Sequence, residues 1–175
     1  VRGQFGDSWY WNKPVLDKFA EVIWYSFALG LASFILEIII AIPAGIAAAR
    51  RQYSALDYTI TVIALIGISL PSFFFATILK WVFSIKLGWV DLYGIVGRMH
   101  DQMSPIGQIL DMAQHMILPT ITLSIVSIGS LMRYTRTNML EVLNADFIRT
   151  ARAKGLSENR VINHHAFRNT LIPII

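Results

Sequence analysis

Residues 144–173 read NADFIRTARAKGLSENRVINHHAFRNTLIP. This hydrophilic run follows apolar segments of membrane-helix length, and its internal punctuation is specific. Asn144 is placed as an N-cap with Asp146 in the first turn, while Arg152 and Lys154 occupy the last turn, so each charge suits the helix dipole at its end. Phe147, Ile148 and Ala151 give one face apolar contacts. Gly155 suits a left-handed C-cap, Leu156 can fold back onto the first helix, and Ser157 with Glu158 opens a second. The run therefore predicts a helix, a turn and a helix. A hairpin of this size is marginal in water by itself, so it needs something to pack against.

The composition places the chain in lipid. Hydrophobic residues make up 55% and charged residues 15%, where a soluble domain carries about 25% charged. The net charge of +4 is concentrated: Arg133, Arg136, Arg149, Arg152, Lys154, Arg160 and Arg168 face only Glu141, Asp146 and Glu158 in the same stretch. Basic residues distributed this way mark membrane topology rather than a nucleic-acid surface. Cysteine is absent, which excludes disulfide frameworks and thiolate metal sites.

Three spans are expected, at 22–49, 58–85 and 116–133, each near the roughly 20 helical residues that cross a hydrocarbon core. Pro71 interrupts the second and Pro119 lies in the third, which predicts kinks or opened backbone. The loop at 86–115 has Lys86 and Arg98 against Asp91, Asp101 and Asp111, whereas Arg50, Arg51 and the basic run fall on the other side. The positive-inside rule makes the basic side, 134–169, cytoplasmic and puts 1–21 and 86–115 outside. Residues 170–175, with Pro173 near a first helical position, begin another span. The start at Val1 and the stop inside an apolar segment predict a fragment of a longer protein.

Ala41, Gly45 and Ala49 recur every four residues, a stripe of small side chains that lets another helix approach closely. Glu37 is costly within a span, about 3 kcal/mol unless protonated, paired or facing water. Two readings fit it equally: a protonated carboxyl bonded to a neighbouring helix, or a group on a translocation path. Lys80 lies near the outer end, where its stem can snorkel, and Trp9, Tyr10, Trp11, Trp81 and Trp89 read as interfacial anchors.

No catalytic constellation stands out. His164 and His165 are adjacent and point about 100° apart on a helix, which does not suit a metal pair. No phosphate-binding loop occurs, so any nucleotide that drives this chain is bound by another subunit, and no cofactor or metal is implied.

The segments ADFIRTARAKGLSENRV and FRNTLIP, within 145–173, resemble the inner-membrane permease subunits of binding-protein-dependent ABC importers, in the dipeptide, oligopeptide and nickel permease branch. GDSWYWNKPVLD (6–17), IPAGIAAARRQYSALD (42–57), SLPSFFFATILKWVFSIKLGW (69–89) and HMILPTITLSI (115–125) are similar to other recurrent segments of that family. The resemblance implies an all-α, polytopic transmembrane helical bundle in a bacterial or archaeal plasma membrane. It implies a cytoplasmic coupling helix that contacts an ATPase, carried by Asp146, Phe147, Arg149, Thr150, Ala151, Arg152, Lys154, Gly155 and Leu156. Within that set, Phe147, Ala151 and Leu156 would supply the apolar contact, Arg149, Arg152 and Lys154 the charged one, and Gly155 the angle. Implied partners are two ABC ATPase subunits, a second permease subunit and an extracytoplasmic solute-binding protein.

The sequence departs from the family pattern at two points. Arg149, Thr150 and Ala151 stand where the general family has Glu-Ala-Ala, and the distance from Gly155 to Pro173 is longer, both usual in the peptide branch. That branch has about six spans, so the first and the last two are expected to be missing and this stretch alone should not transport. Two rival readings are a proton-coupled secondary transporter using Glu37 and a non-transporting membrane scaffold or membrane-embedded enzyme, the latter using His115, His164 and His165. The histidines share no useful spacing, which weakens the second.

Overall fold

The computed structural model describes residues 5–171, and among these the chain is helical apart from loops and one isolated bridge between Asp7 and Pro14. Helix α1 spans Val15–Arg50, α2 Ala55–Ser69 and α3 Ser72–Leu79, the last running on as a π-helical stretch, Lys80–Lys86. A loop containing a short 3-10 turn at His100–Gln102 leads to α4, Pro105–Leu143. Then come α5 (Asp146–Ala153), α6 (Glu158–Arg160), a π-helical stretch Val161–Ala166 and α7 (Phe167–Leu171). Residues 172–175, including Pro173, lie outside the described part.

Two helices, α1 and α4, are each long and apolar enough to cross a bilayer. In hydrocarbon the backbone must satisfy its own hydrogen bonds, and a helix does so within one segment. Both exceed the expected spans. Helix α1 begins seven residues before Val22, its outer turn carrying Lys18 and Glu21 as an ion pair at 2.6 Å. Helix α4 takes in the end of the expected outer loop and the start of the expected cytoplasmic run. Ser104 caps it, accepting from the Gly107 N–H at 3.3 Å, with Pro105 in the first turn.

The two internal prolines behave differently. The expected span 58–85 is not one kinked helix: α2 and the helix after it are bent by 101°. Leu70 is extended, as a residue before proline prefers, and Pro71 becomes the N-cap of α3. Pro119 instead lies inside an unbroken α4, where the preceding Leu118 is buried.

Contacts fix the directions. Ser33 Oγ donates to the Thr120 carbonyl, Gly45 abuts Met132, and Ala49 shares a cluster with Met139, so α1 and α4 run parallel. Asp57 meets Arg136, Ala64 meets Gly129 and Gly67 meets Ile125, so α2 runs antiparallel to α4. Lys80 then reaches a pocket wall shared with His115. Arg136 and His115 are about six turns apart, roughly 30 Å at 1.5 Å per residue, so the broken α2–α3 pair carries the chain back along the depth of a hydrocarbon core.

The small-residue stripe faces inward as expected: Ala41, Gly45 and Ala49 are all buried. Backbones come closest at two points. A Cβ at Gly45 would lie 2.7 Å from the Met132 carbonyl oxygen and from Thr135 Cβ, and one at Gly129 would lie 2.6 Å from the Ala64 carbonyl oxygen. Large apolar side chains point the other way, with Trp24, Phe27, Phe34 and Ile39 of α1 exposed. That is the pattern of helices surrounded by lipid or by further helices.

Gly45→Ala and Gly129→Ala should each destabilise the protein by about 1–3 kcal/mol through overpacking, measured by denaturant titration of the detergent-solubilised protein. Gly30, with nothing within 4 Å of an added Cβ, serves as the control. Equal stability of the Gly30→Ala and Gly45→Ala variants would contradict the close approach.

Candidate functional site

Helix α5 is held at the end of α4 by its own apolar face. Ile148 is fully buried and Ala151 nearly so, in a cluster with Met139 of α4, Ala49 of α1, and Val161, Ile162 and Ala166 from the returning arm. Leu156 packs against the same cluster. The hairpin is therefore seated on α1 and α4 together. At its far end Thr170 is buried, its hydroxyl donating to the Ala166 carbonyl and lying 3.3 Å from Met139 Sδ.

The turn follows the sequence reading at Gly155, which has φ +74°. The Gly155 N–H donates to the Arg152 carbonyl and the Leu156 N–H to the Ala151 carbonyl, closing the end of α5 in the manner of a left-handed cap. Ser157 stands at the N-cap of α6 with extended backbone, though its hydroxyl makes no cap bond. Arg152 bridges the turn instead, donating to both Glu158 carboxylate oxygens at 3.1 and 2.7 Å. That guanidinium holds the Glu158 carboxyl below the usual carboxylate range. The pair is exposed, so its contribution is small, present at neutral pH and lost as pH falls through the lowered value.

Two expectations are corrected by this geometry. Asn144 is not the N-cap of α5: it ends α4, its side-chain amide donating to the Leu140 carbonyl, and Ala145 takes the cap position with ψ 150°. The apolar residues Leu140, Val142 and Leu143 pack against the hairpin core, and α4 continues to that point as a result. Ala151, expected to offer apolar surface to a partner, is buried in this cluster, whereas Leu156 folds back onto it, half-buried, as its place after Gly155 suggests. Among the expected apolar contacts only Phe147, 45% accessible, faces out. Asp146, Arg149, Thr150 and Lys154 are exposed beside it, with Arg149 and Asp146 at 3.5 Å and the Thr150 hydroxyl donating to the Asp146 carbonyl. Phe147 and Ala145 also border a shallow groove with Asn138, Glu141 and Val142.

Glu37 lies half-buried in an open cleft that shares Asn138 with this groove and is otherwise lined by Ser130, Leu131, Arg133, Tyr134 and Thr137 of α4. Both earlier readings of it need that polar company. At the outer end, Lys80 places its ammonium 4.6 Å from the Tyr93 ring centre. His115 is buried between the Asp111 carbonyl at 2.8 Å and the Asp91 carboxylate at 3.2 Å. Asp111 also accepts from Gly97 N–H and contacts His100 Nδ1 at 2.6 Å, clasping the outer loop to α4. His164 and His165 lie beyond the other end of α4, so the three histidines of the enzyme reading do not converge. Among the described residues no group of His, Cys, Asp and Glu side chains is arranged to hold a metal.

One contact was not foreseen. Arg136, counted with the basic run, donates to the buried Asp57 carboxylate from Nε at 2.6 Å and Nη2 at 2.8 Å. Ser54 and Asp57 have the spacing of a helix-opening box, which signals the start of α2 but not the contact with Arg136. Asp57 N–H donates to Ser54 Oγ, and Asp57 Oδ2 accepts from Tyr53 N–H.

Comparison with known proteins gives a consistent result. The family described as binding-protein-dependent transport system inner membrane component matches residues 41–175. Oligopeptide transport system permease protein AppB of Bacillus subtilis is 42% identical over 176 residues, covering all of this chain and 54% of that protein. OppB of Salmonella typhimurium, also an oligopeptide transport system permease protein, is 40% identical over the whole chain and 53% of its own length. Dipeptide transport system permease protein DppB of Alkalihalophilus pseudofirmus is 34% identical over 99% of this chain and 56% of that protein. The chain spans about half the length of these relatives.

A Cβ at Gly155 meets nothing within 4 Å, so the requirement for glycine is one of backbone conformation alone. Gly155→Val should cost about 1–3 kcal/mol of local stability, read as faster amide exchange over α5. Gly155→Asn, which tolerates the left-handed region, should exchange nearly as the parent does. Equal exchange in the valine variant would show that the turn does not need this conformation.

Proposed function

Since this chain belongs to the family of binding-protein-dependent transport system inner membrane components, we propose that it forms part of the translocation path of an ABC importer for peptides. The relatives are named for oligopeptide and dipeptide transport, and that supports peptides as the solute class. The proton-coupled carrier is set aside, because the family is defined by dependence on a binding protein. In this reading the chain is a multi-pass subunit of a bacterial inner membrane. It works with a second permease, two ATPase subunits and an extracytoplasmic solute-binding protein.

The observation that carries the proposal is the seating of α5. Its inner face is locked to α4 and α1 through Ile148, Ala151 and Met139, while Phe147, Arg149, Thr150 and Lys154 stand outward. A force applied to that outer face passes into two long apolar helices without first bending a loose loop. Phe147 offers an exposed apolar knob flanked by the Asp146–Arg149 pair and Lys154, the mixed chemistry of a contact with an apolar pocket rimmed by polar groups. When ATP draws two ATPase subunits together, each would carry its α5 along, and the helices above would rock between inward-open and outward-open arrangements.

A photo-crosslinker at Phe147 of the full-length protein should capture an ATPase subunit in native membranes. In the same protein, Gly155→Val should lower ATP-driven uptake at least about five-fold, the lower end of typical coupling energies, with membrane insertion unchanged. No ATPase captured, or undiminished uptake in Gly155→Val, would overturn the assignment.

A further inference from the structure

We propose that Asp57 and Arg136 form a positioning pair that makes the α1–α2 turn and the start of α2 move as one body with the coupling hairpin. This rests on the coupling reading above. Asp57 is 2% exposed and its carboxylate accepts three hydrogen bonds, two from Arg136 and one from the Tyr53 N–H. Tyr53 has φ +63°, a conformation uncommon for a residue with a side chain. The Asp57 carboxylate thus pins that unusual turn and ties it to α4 at once.

The position of the pair gives it a mechanical meaning. Arg136 is less than one turn from Met139, the fully buried residue on which Ile148 and Val161 of the hairpin pack. Higher up, α2 is already held to α4 by the contacts of Ala64 with Gly129 and of Gly67 with Ile125. Cohesion of the two helices therefore does not require an ion pair at the lower end. A buried pair often adds little net stability over apolar packing, yet a bidentate guanidinium–carboxylate contact admits one geometry. What it adds here is a fixed orientation between the hairpin's support and the helix that leads to the Pro71 break.

The test uses the full-length protein assembled with its ATPase and permease partners in proteoliposomes, counting ATP hydrolysed per peptide imported. Asp57→Asn should raise that ratio at least about five-fold, with the ATPase still co-purifying, and Arg136→Lys should give an intermediate value. Spin labels at the exposed Gln52 and Asn159 should keep one separation in nucleotide-free and ATP-bound states of the parent. In Asp57→Asn the separation should become state-dependent. Should Asp57→Asn fail to assemble, Arg136→Lys carries both measurements. An unchanged ratio, with uptake and hydrolysis falling only in step with the amount of complex, overturns the inference; so do labels that already move apart in the parent. Failure of the parent hairpin to contact an ATPase would instead sink the coupling reading on which the inference rests.

Discussion

Close backbone contact along α4 is the constraint on which this structure depends. In hydrocarbon there is no hydrophobic gain from putting two apolar helices together, so association relies on dispersion contacts and on how near the backbones come. Gly45 brings α1 against the α4 backbone at Met132, and Gly129 brings α4 against the α2 backbone at Ala64. Helix α4 is thereby gripped on two sides, and the elements that follow inherit its direction. The hairpin core forms only because Ala49 and Met139 are brought level by the same parallel alignment.

That alignment also explains how so short a hairpin is held in one place. Alone in water, eight helical residues and a return arm would be marginal. Here α5 buries Ile148 and Ala151 against side chains from two membrane helices, and Gly155 lets Leu156 close the same cluster. The apolar half of the hairpin is used for attachment and the charged half is left exposed. The division of labour is a consequence of helical periodicity: residues 148 and 151 fall on one face, 147, 150 and 154 on others.

Much of this was legible in the sequence where local chemistry decides the outcome. Gly155, the stripe at Ala41, Gly45 and Ala49, and the all-helical character follow from conformational freedom, side-chain size and hydropathy. The features that were misread depend on contacts distant in sequence. Pro71 and Pro119 look alike in one dimension, yet only the first breaks its helix: Leu70 before it is extended and half-buried, whereas Pro119 lies inside α4 next to the buried Leu118. Asn144 has the chemistry of a cap, but the packing of Leu140 and Leu143 prolongs α4 and moves the cap to Ala145. Ala151 was assigned to a partner because an apolar face alone does not say which body will cover it. Arg136 was absorbed into a charge count, which cannot register that its carboxylate lies 79 residues away.

The break at Leu70–Pro71 has a solvation consequence. Pro71 has no N–H, so the Gly67 carbonyl cannot complete its helical bond, and the opening turn of α3 begins with N–H groups that lack intrahelical acceptors. These polar atoms fall near the middle depth of the bundle, where α2 crosses Ile125 of α4. Acyl chains cannot solvate them. This elbow therefore needs water or other polypeptide beside its free polar atoms, even though its flanking side chains Phe73 and Phe74 are large, apolar and exposed.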